Sequence, residues 1–444
     1  MTASNASPAA EKRNWTYYLQ EKVLVIFFLG FSSGLPFPLV YATLSAWLED
    51  AGVERSTIST FAWLGFAYSL KFVWAPLVDS LRLPILTGIF GRRRAWMLLA
   101  QVSIGASLLV LAGIDPRSNI EGFAIVALAV AFSSATQDIV IDAYRIESAP
   151  DDMQGVLAAA YQYGYRISLL ISMAGALYLA DFGSWQMTYT AMAGCMVIGM
   201  LATLWCREPE TTGIADATVE GGYVAKIAAW FTHAVAEPFA DFYSRFGRFL
   251  FVILLFVSLY RISDYVLGIL ANPFYLAIGY TKSEVATVAK IYGTWMTVIG
   301  VGAGGWAVLR YGVARCLVIA TTLIMSTNLF FAIMTQVGPE IWMLGVTITA
   351  DNIAQGFGGT VLIAYLSSLT NRDFTATQYA LLSSFMALLP KFLAGYSGNV
   401  QESIGWLGFF LYAAVLGVPA ILLAFVVARR HDRLVESRSD DAGS

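Results

Sequence analysis

The chain alternates between long apolar stretches and short connections that carry charge, glycine or proline. A helix needs about 20 apolar residues to cross about 30 Å of hydrocarbon. Twelve stretches meet this requirement, and we number them as spans 1 to 12. They cover residues 22–48, 55–80, 95–113, 122–148, 154–180, 185–206, 247–278, 283–309, 315–336, 341–369, 375–400 and 405–428. The pattern predicts an all-α membrane protein with twelve transmembrane helices.

Positive charge is divided unevenly between the connections. An even number of spans places both termini on the same side of the membrane. Of the 27 lysines and arginines, 19 fall on the side shared by the termini, and only Arg55, Arg117 and Lys282 fall on the other. The remaining five lie within spans. Because cytoplasmic connections carry the excess of positive charge, both termini are predicted to be cytoplasmic.

The longest connection, residues 207–246, divides the twelve spans six and six. The ends of span 4, "IDAYRIESAPDDMQG", and of span 10, "IAYLSSLTNRDFTATQYA", resemble each other. Two six-helix repeats with a central site between them form the major facilitator arrangement. The predicted parts are a cytoplasmic tail, an N-terminal bundle, a cytoplasmic linker, a C-terminal bundle and a second cytoplasmic tail, at residues 1–21, 22–206, 207–246, 247–428 and 429–444.

Local patterns add detail to this layout. Six apolar residues of the linker recur at helical spacing and predict a helix in the cytoplasmic interface: Val224, Ile227, Phe231, Val235, Phe239 and Phe242. Pro36 and Pro38 in span 1 and Pro273 in span 7 predict helix breaks. The glycines of "GVGAGG" at 300–305 and "GFGG" at 356–359 predict close helix packing.

Composition excludes several functional classes. Hydrophobic residues make up 58% of the chain and charged residues 13%, against about 25% charged in soluble proteins. The net charge is −3, and charges of both signs are spread along the chain, so the sequence does not indicate a nucleic-acid-binding surface. Three cysteines in apolar segments predict neither disulfides nor a metal site. The polar N-terminus does not resemble a signal peptide. With no phosphate-binding loop and no histidine in a span, neither ATP hydrolysis nor a cofactor is expected.

Nine ionisable side chains nevertheless lie within spans and away from the span ends. They are Lys71, Asp138, Asp142, Arg166, Arg261, Asp264, Lys290, Asp351 and Lys391. Each unpaired charge at the bilayer centre costs about 2.5–3.5 kcal/mol on insertion scales. These side chains are therefore expected to face one another or water, in a shared chamber between the two bundles.

Span 4 carries Asp138 and Asp142 four residues apart on one helical face, followed by Arg145. Asp142 is expected to pair with Arg145 near the cytoplasmic surface and to form part of a gate. Asp138 lies deeper and needs a partner from another helix or a proton. We expect Asp138 to titrate or to face substrate, although a second gate salt bridge is the alternative.

On span 7, Arg261 and Asp264 are predicted to form a pair that exchanges partners when an anion or a proton arrives. Five cations against four acids favour an anionic ligand, and Lys71, Arg166, Arg261, Lys290 and Lys391 are the candidate binding residues. Interhelical pairing is the alternative for the lone cations. Aromatic residues beside the charges could stack on sugar faces or serve only in packing: Tyr68, Tyr165, Tyr265 and Trp295.

Several blocks resemble the AmpG muropeptide permease family, a major facilitator branch that also holds acetyl-CoA carriers and some siderophore permeases. They are "FSSGLPFPL", "LKFVWAPLVD" with "GRRRAW", "ATQDIVIDAY", "YRISD", "NPFYLAIGYTKSEV", "GGTVLIAYLSSL" and "FTATQYALLSSF", and the likeness runs from about residue 24 to 425. It departs from the general facilitator pattern after span 2, where eleven residues separate Asp79 from Gly91.

This resemblance implies proton-coupled import of N-acetylglucosaminyl anhydro-N-acetylmuramic acid and its peptide-bearing forms across the bacterial inner membrane. Peptidoglycan recycling and beta-lactamase induction would depend on that import. The resemblance also implies transport residues, namely Lys71, Asp138, Asp142, Arg166, Asp264, Lys290 and Gln378. Asp79 and Arg92 are expected in the gate with Asp142 and Arg145. The expected partners are the muropeptide, protons and the bilayer, with the protein acting as a monomer.

Three other interpretations remain open at this point. A siderophore or acyl-CoA permease of the same branch would also suit five buried cations. An intramembrane acyl- or glycosyltransferase would need a histidine or paired acids beside a lipid-accessible groove, and only the aspartates of span 4 are available. A receptor without transport has the same sequence pattern.

Overall fold

The computed structural model describes residues 20–150, 153–209, 232, 236–281 and 284–441. Within these ranges the protein is all-helical and contains no β-strand. Nine helical segments there are long and apolar enough to cross a membrane: Glu21–Asp50, Arg92–Ala112, Ile120–Glu147, Gln154–Phe182, Trp185–Trp205, Phe249–Ala277, Val285–Tyr311, Val313–Val337 and Ser397–Arg430. These segments correspond to spans 1, 3 to 9 and 12.

The other three predicted spans are less regular. Span 2 is divided into short helices and 3₁₀ turns between Arg55 and Ser80, the last being Ala75–Ser80. Spans 10 and 11 are the helices Ile341–Leu369 and Thr375–Ala394, joined by a short turn where the chain bends by 105°. All twelve predicted stretches are therefore helical and follow one another in the expected order.

Two of the long spans are broken near their middle. Span 1 consists of Glu21–Gly34, Pro36–Leu39 and Ala42–Asp50, so the predicted break at its prolines is confirmed. In span 7 the prediction of a break at Pro273 is wrong, because Pro273 lies inside the continuous helix Ile262–Ala277. That span is interrupted instead at Tyr260 and Arg261. An acidic residue in the first turn, Asp264, favours the start of a helix at this point.

The described part of the linker forms a short amphipathic helix, Glu237–Phe246. Phe242 and Phe246 of this helix are buried among residues of spans 7, 9, 10 and 11, whereas Phe239 is exposed. The helix therefore packs on the cytoplasmic end of the C-terminal half. The remaining residues of the predicted interfacial stretch, Val224, Ile227, Phe231 and Val235, lie outside the described residues.

Spans 8 and 10 pack closely through their glycines. A Cβ added to Gly300 would overlap the carbonyl oxygen of Ile353, and one added to Gly356 would overlap that of Thr297. Small residues allow two helix backbones to approach this closely. The predicted role of the two glycine clusters is thereby confirmed, and it fixes the position of span 10 in the C-terminal half.

Candidate functional site

The carboxylate of Asp138 lies inside the N-terminal half, on the face of span 4 that meets spans 1 and 5. It accepts a hydrogen bond from the Ser33 hydroxyl, which is also 2.7 Å from the Tyr161 hydroxyl. Because Ser33 has only one proton to donate, Tyr161 must be the donor to Ser33. Asp138 is therefore the end of a chain of hydroxyl groups, and no cation among the described residues forms an ion pair with it.

Asp142, one helical turn nearer the cytoplasm, lies between two cations. Its carboxylate is 3.5 Å from the guanidinium of Arg145 and 3.7 Å from the ammonium of Lys71 on span 2. The predicted pairing of Asp142 with Arg145 is confirmed. Lys71 also acts electrostatically on Asp138, so one lysine faces both acids of span 4.

The C-terminal half contributes a second charged pair. The Nε atom of Arg261 donates to Asp264 over 3.2 Å, as predicted from their spacing, and the guanidinium lies 6.0 Å from the centre of the Tyr265 ring. One carboxylate nearby was expected in the shared chamber but was given no role in binding, proton coupling or the gate. Asp351 of span 10 accepts hydrogen bonds from Thr327 and Gln355 and is close enough to Asp264 for the two acids to repel each other.

Residues of span 5 bring these two groups near each other. Arg166 of span 5 faces Arg261 closely enough for their charges to interact, and Tyr165 faces Tyr265 in the same way. One helical turn before Arg166, the Gln162 amide donates to Thr360 of span 10 over 2.9 Å. The predicted convergence of buried ionisable groups is therefore observed for seven side chains: Lys71, Asp138, Asp142, Arg166, Arg261, Asp264 and Asp351.

Asp79 joins the two halves on the cytoplasmic side of this cluster. Its carboxylate accepts from Arg93 over 2.8 Å, and the same arginine pairs with Glu147 at the end of span 4. The other contacts of Asp79 cross to the C-terminal half, where the N–H and hydroxyl of Thr377 each donate over 2.7 Å. Arg92, which was predicted to belong to the gate, donates to the backbone carbonyl of Asp79.

Two more contacts hold the halves together at the same end. The fully buried Arg145 donates to Ser367 of span 10 over 2.9 Å and lies over the Tyr379 ring of span 11. Arg372, between spans 10 and 11, donates to the carbonyl oxygen of Ala149. These contacts join the two halves at their cytoplasmic ends.

Gln378 lies in this cytoplasmic region and not in the central cluster. Its amide oxygen accepts from Arg245 and from the backbone of Asn371, and its NH₂ group donates to Asp241 and to the carbonyl of Pro238. All four contacts belong to the linker helix or to the turn before span 11. Gln154 holds the matching position in the N-terminal half, where it accepts from Arg145.

Three other predicted binding residues lie away from the charged pairs. Lys290 and Trp295, at the outer end of span 8, are exposed, and no described hydrogen bond involves their side chains. Lys391 of span 11 donates to Ser69 of span 2 over 3.1 Å and so joins the two halves. Tyr68 is closer to the cluster, because its hydroxyl faces Asp138 and its ring packs against Phe37 and Tyr41.

Long apolar helices that surround a shared cluster of charged side chains are typical of a multi-span membrane transport protein. The sequence matches the family model described as Major Facilitator Superfamily over residues 23–272. It is 34% identical to "Putative transporter AmpG 4" of Rickettsia conorii, over 90% of this chain and 95% of that protein. It is 32% identical to "Anhydromuropeptide permease" of Escherichia coli K12, over 92% of this chain and 80% of that protein.

The fold agrees with these sequence matches. The solved structure of the proton:xylose symporter XylE bound to 6-bromo-6-deoxy-D-glucose superposes with a TM-score of 0.61 at 15% identity, covering 92% of this chain and 94% of that one. The chain belongs to the AmpG family of the major facilitator superfamily. It is a transporter and not an enzyme, which removes the intramembrane transferase from the alternatives.

Proposed function

We propose that the protein imports anhydro-muropeptides from the periplasm to the cytoplasm across the bacterial inner membrane, coupled to protons and acting as a monomer. The imported disaccharide, with or without its peptide, would supply peptidoglycan recycling and beta-lactamase induction. The observation that carries the proposal is that spans 5 and 7, which carry Arg166 and Arg261, contact the same stretch of span 10, so that the two guanidiniums lie within electrostatic range and favour an anionic ligand. Similarity to the Escherichia coli permease supports the substrate class.

The proposed cycle rocks the bundle of residues 22–206 against that of residues 247–428, around the charged cluster. Lys71, Arg166 and Arg261 bind the carboxylate end of the substrate, while Tyr165 and Tyr265 present ring faces to its sugars. Further candidate contacts of the substrate are Tyr68 near Asp138, Lys391 of span 11, and Lys290 and Trp295 at the outer end of span 8. Asp79, Arg92, Arg93, Asp142 and Arg145 close the cytoplasmic gate.

Proton coupling falls to the carboxylates of the cluster, foremost Asp138 and Asp264, with Asp142 as a third candidate. Moving one elementary charge through 100 mV is worth about 2.3 kcal/mol. The membrane potential opposes the inward movement of a substrate with one negative charge as strongly as it favours the inward movement of one proton. The two free-energy terms therefore cancel. Two protons must accompany such a substrate before the membrane potential drives uptake, and Asp138 and Asp264 provide one carrier in each half.

The test is uptake of radiolabelled N-acetylglucosaminyl anhydro-N-acetylmuramic acid into proteoliposomes with an imposed pH gradient, acidic outside. We expect saturable uptake that collapses when a protonophore removes the gradient. A siderophore or acyl-CoA permease would show no disaccharide uptake, and a ferric siderophore or acetyl-CoA would be transported instead. A receptor without transport would bind the disaccharide but fail to exchange it in counterflow.

A further inference from the structure

The positive charge of Arg166 has no acidic partner among the described residues, although it lies in the middle of span 5. No described hydrogen bond or ion pair uses its guanidinium, and its side chain is half-buried. The charged group that acts on it is the guanidinium of Arg261, and the neutral Tyr165 is its neighbour in the chain. An isolated cation at this depth, placed near a second cation, is unfavourable unless an anion joins them.

The helical segments that carry the two arginines both contact the same stretch of span 10. Gln162 lies four residues before Arg166 and so on the same helical face. Its amide bonds to Thr360 and packs beside Gly359. The Tyr260 hydroxyl, from the residue preceding Arg261, donates to the carbonyl of Gly358 over 2.9 Å. Residues 358–360 therefore bring together one arginine from each half.

Arg261 has capacity for a second partner. Only its Nε atom bonds to Asp264 in the structure, and its side chain is 25% exposed. The two terminal nitrogens of the guanidinium form no other described hydrogen bond. Because guanidinium groups bind carboxylates with two parallel hydrogen bonds, these nitrogens can receive an anion while Asp264 remains in place.

We propose that Arg166 and Arg261 form a carboxylate clamp, in which one carboxylate of the substrate is held by an arginine from each half. This inference rests on the proposed function and deepens it, since it names the group that both halves recognise. In the peptide-free disaccharide that group is the lactyl carboxylate. Without ligand the two guanidiniums repel each other, and with ligand each attracts the same anion, so binding favours closure of the halves around it.

The clamp is tested by the affinity of the purified carrier for the anhydro-disaccharide and for the methyl ester of its lactyl carboxylate. Arg166→Gln should weaken binding of the acid about 10- to 100-fold, because a charge-assisted hydrogen bond is lost. Binding of the ester should stay within about threefold of wild type, since the ester makes no such bond. Arg166→Lys should give an intermediate loss. Equal losses for acid and ester, or none for the acid, would overturn the clamp.

A second measurement separates failure of the clamp from failure of the proposed substrate. The melting temperature in detergent is compared with D-2-methoxypropionate, which carries the lactyl ether and carboxylate, and with its neutral amide. The carboxylate should raise the melting temperature of wild type and of the control Arg310→Gln, but not that of Arg166→Gln. If wild type does not bind the disaccharide yet shows this response, only the substrate assignment fails. If wild type shows no preference for the carboxylate, the clamp is refuted.

Discussion

The Asp79 carboxylate accepts a hydrogen bond from the backbone N–H of Thr377, 298 residues further along the chain. This contact joins span 2 of one half to the first turn of span 11 of the other. Unpaired N–H groups and the positive end of the helix dipole make the start of a helix attractive to a carboxylate. Asp79 therefore acts as the N-terminal cap of span 11, and opening the cytoplasmic side must break that cap.

Asp79→Asn should loosen the cytoplasmic gate. The substitution keeps one acceptor oxygen but removes the charge shared with Arg93 and with the helix start, at a cost of about 1.5–3 kcal/mol to the closed state. Hydrogen exchange of residues 372–382 should become faster by the corresponding factor. Asp181→Asn, on the exposed periplasmic end of span 5, is the control and should leave the exchange unchanged. Unaltered exchange in Asp79→Asn would show that the cap does not hold the gate.

Glycine substitutions in span 10 should separate close packing from helix propensity. Gly356→Ala places a methyl group against the backbone of span 8, whereas a Cβ at Gly345 meets no atom within 4 Å. Overpacking costs about 1–3 kcal/mol, while an exposed helical glycine changed to alanine gains about 1 kcal/mol. The melting temperature should therefore fall for Gly356→Ala and hold or rise for Gly345→Ala. A fall of equal size in both variants would contradict the packing argument.

Local pairs could be predicted from the sequence, and distant ones could not. Arg261 with Asp264, and Asp142 with Arg145, lie three residues apart on one helix, so their spacing alone brings them together. The partner of Asp79 depends on how the two halves pack against each other. The spacing of residues along the sequence does not show this packing. Among three consecutive arginines, only the rotation of span 3 decides that the second one turns inward to Asp79.

The position of Gln378 in the fold could not be predicted from the sequence either. Gln378 is predicted to be a transport residue because it lies in a motif of the family that the sequence resembles. A motif does not show how deep a residue lies in the membrane. The partner that satisfies its amide oxygen, Arg245, comes from the linker helix, 133 residues away. A glutamine stands at the start of both span 5 and span 11, and this repetition in the sequence indicates a shared structural role for the two residues.

Gln378→Ala should therefore reduce stability without changing substrate affinity. It removes four hydrogen bonds between span 11, its preceding turn and the linker helix, at an expected cost of about 1–3 kcal/mol. Affinity for the anhydro-disaccharide should stay within about twofold, because none of the hydrogen bonds of Gln378 reaches the binding cluster. Thermal unfolding and equilibrium binding on the same preparation provide both values. The control is Gln336→Ala, because Gln336 is exposed at the periplasmic end of span 9. A tenfold loss of affinity at unchanged stability would restore the transport role.

Asp138→Asn should uncouple transport from the proton gradient while leaving exchange of substrate intact. Asparagine has the shape of the protonated acid and still accepts from Ser33, so the site survives in a form that cannot release a proton. Acid-driven uptake into proteoliposomes should fall to the level without a gradient, and its dependence on external pH should flatten. Counterflow, which needs no net proton movement, should continue.

The control is Asp115→Asn, in the periplasmic connection between spans 3 and 4, which should behave as wild type. If Asp138→Asn retains acid-driven uptake with its pH profile, the coupling proton is carried elsewhere, and the same pair of assays on Asp264→Asn would then identify the carrier.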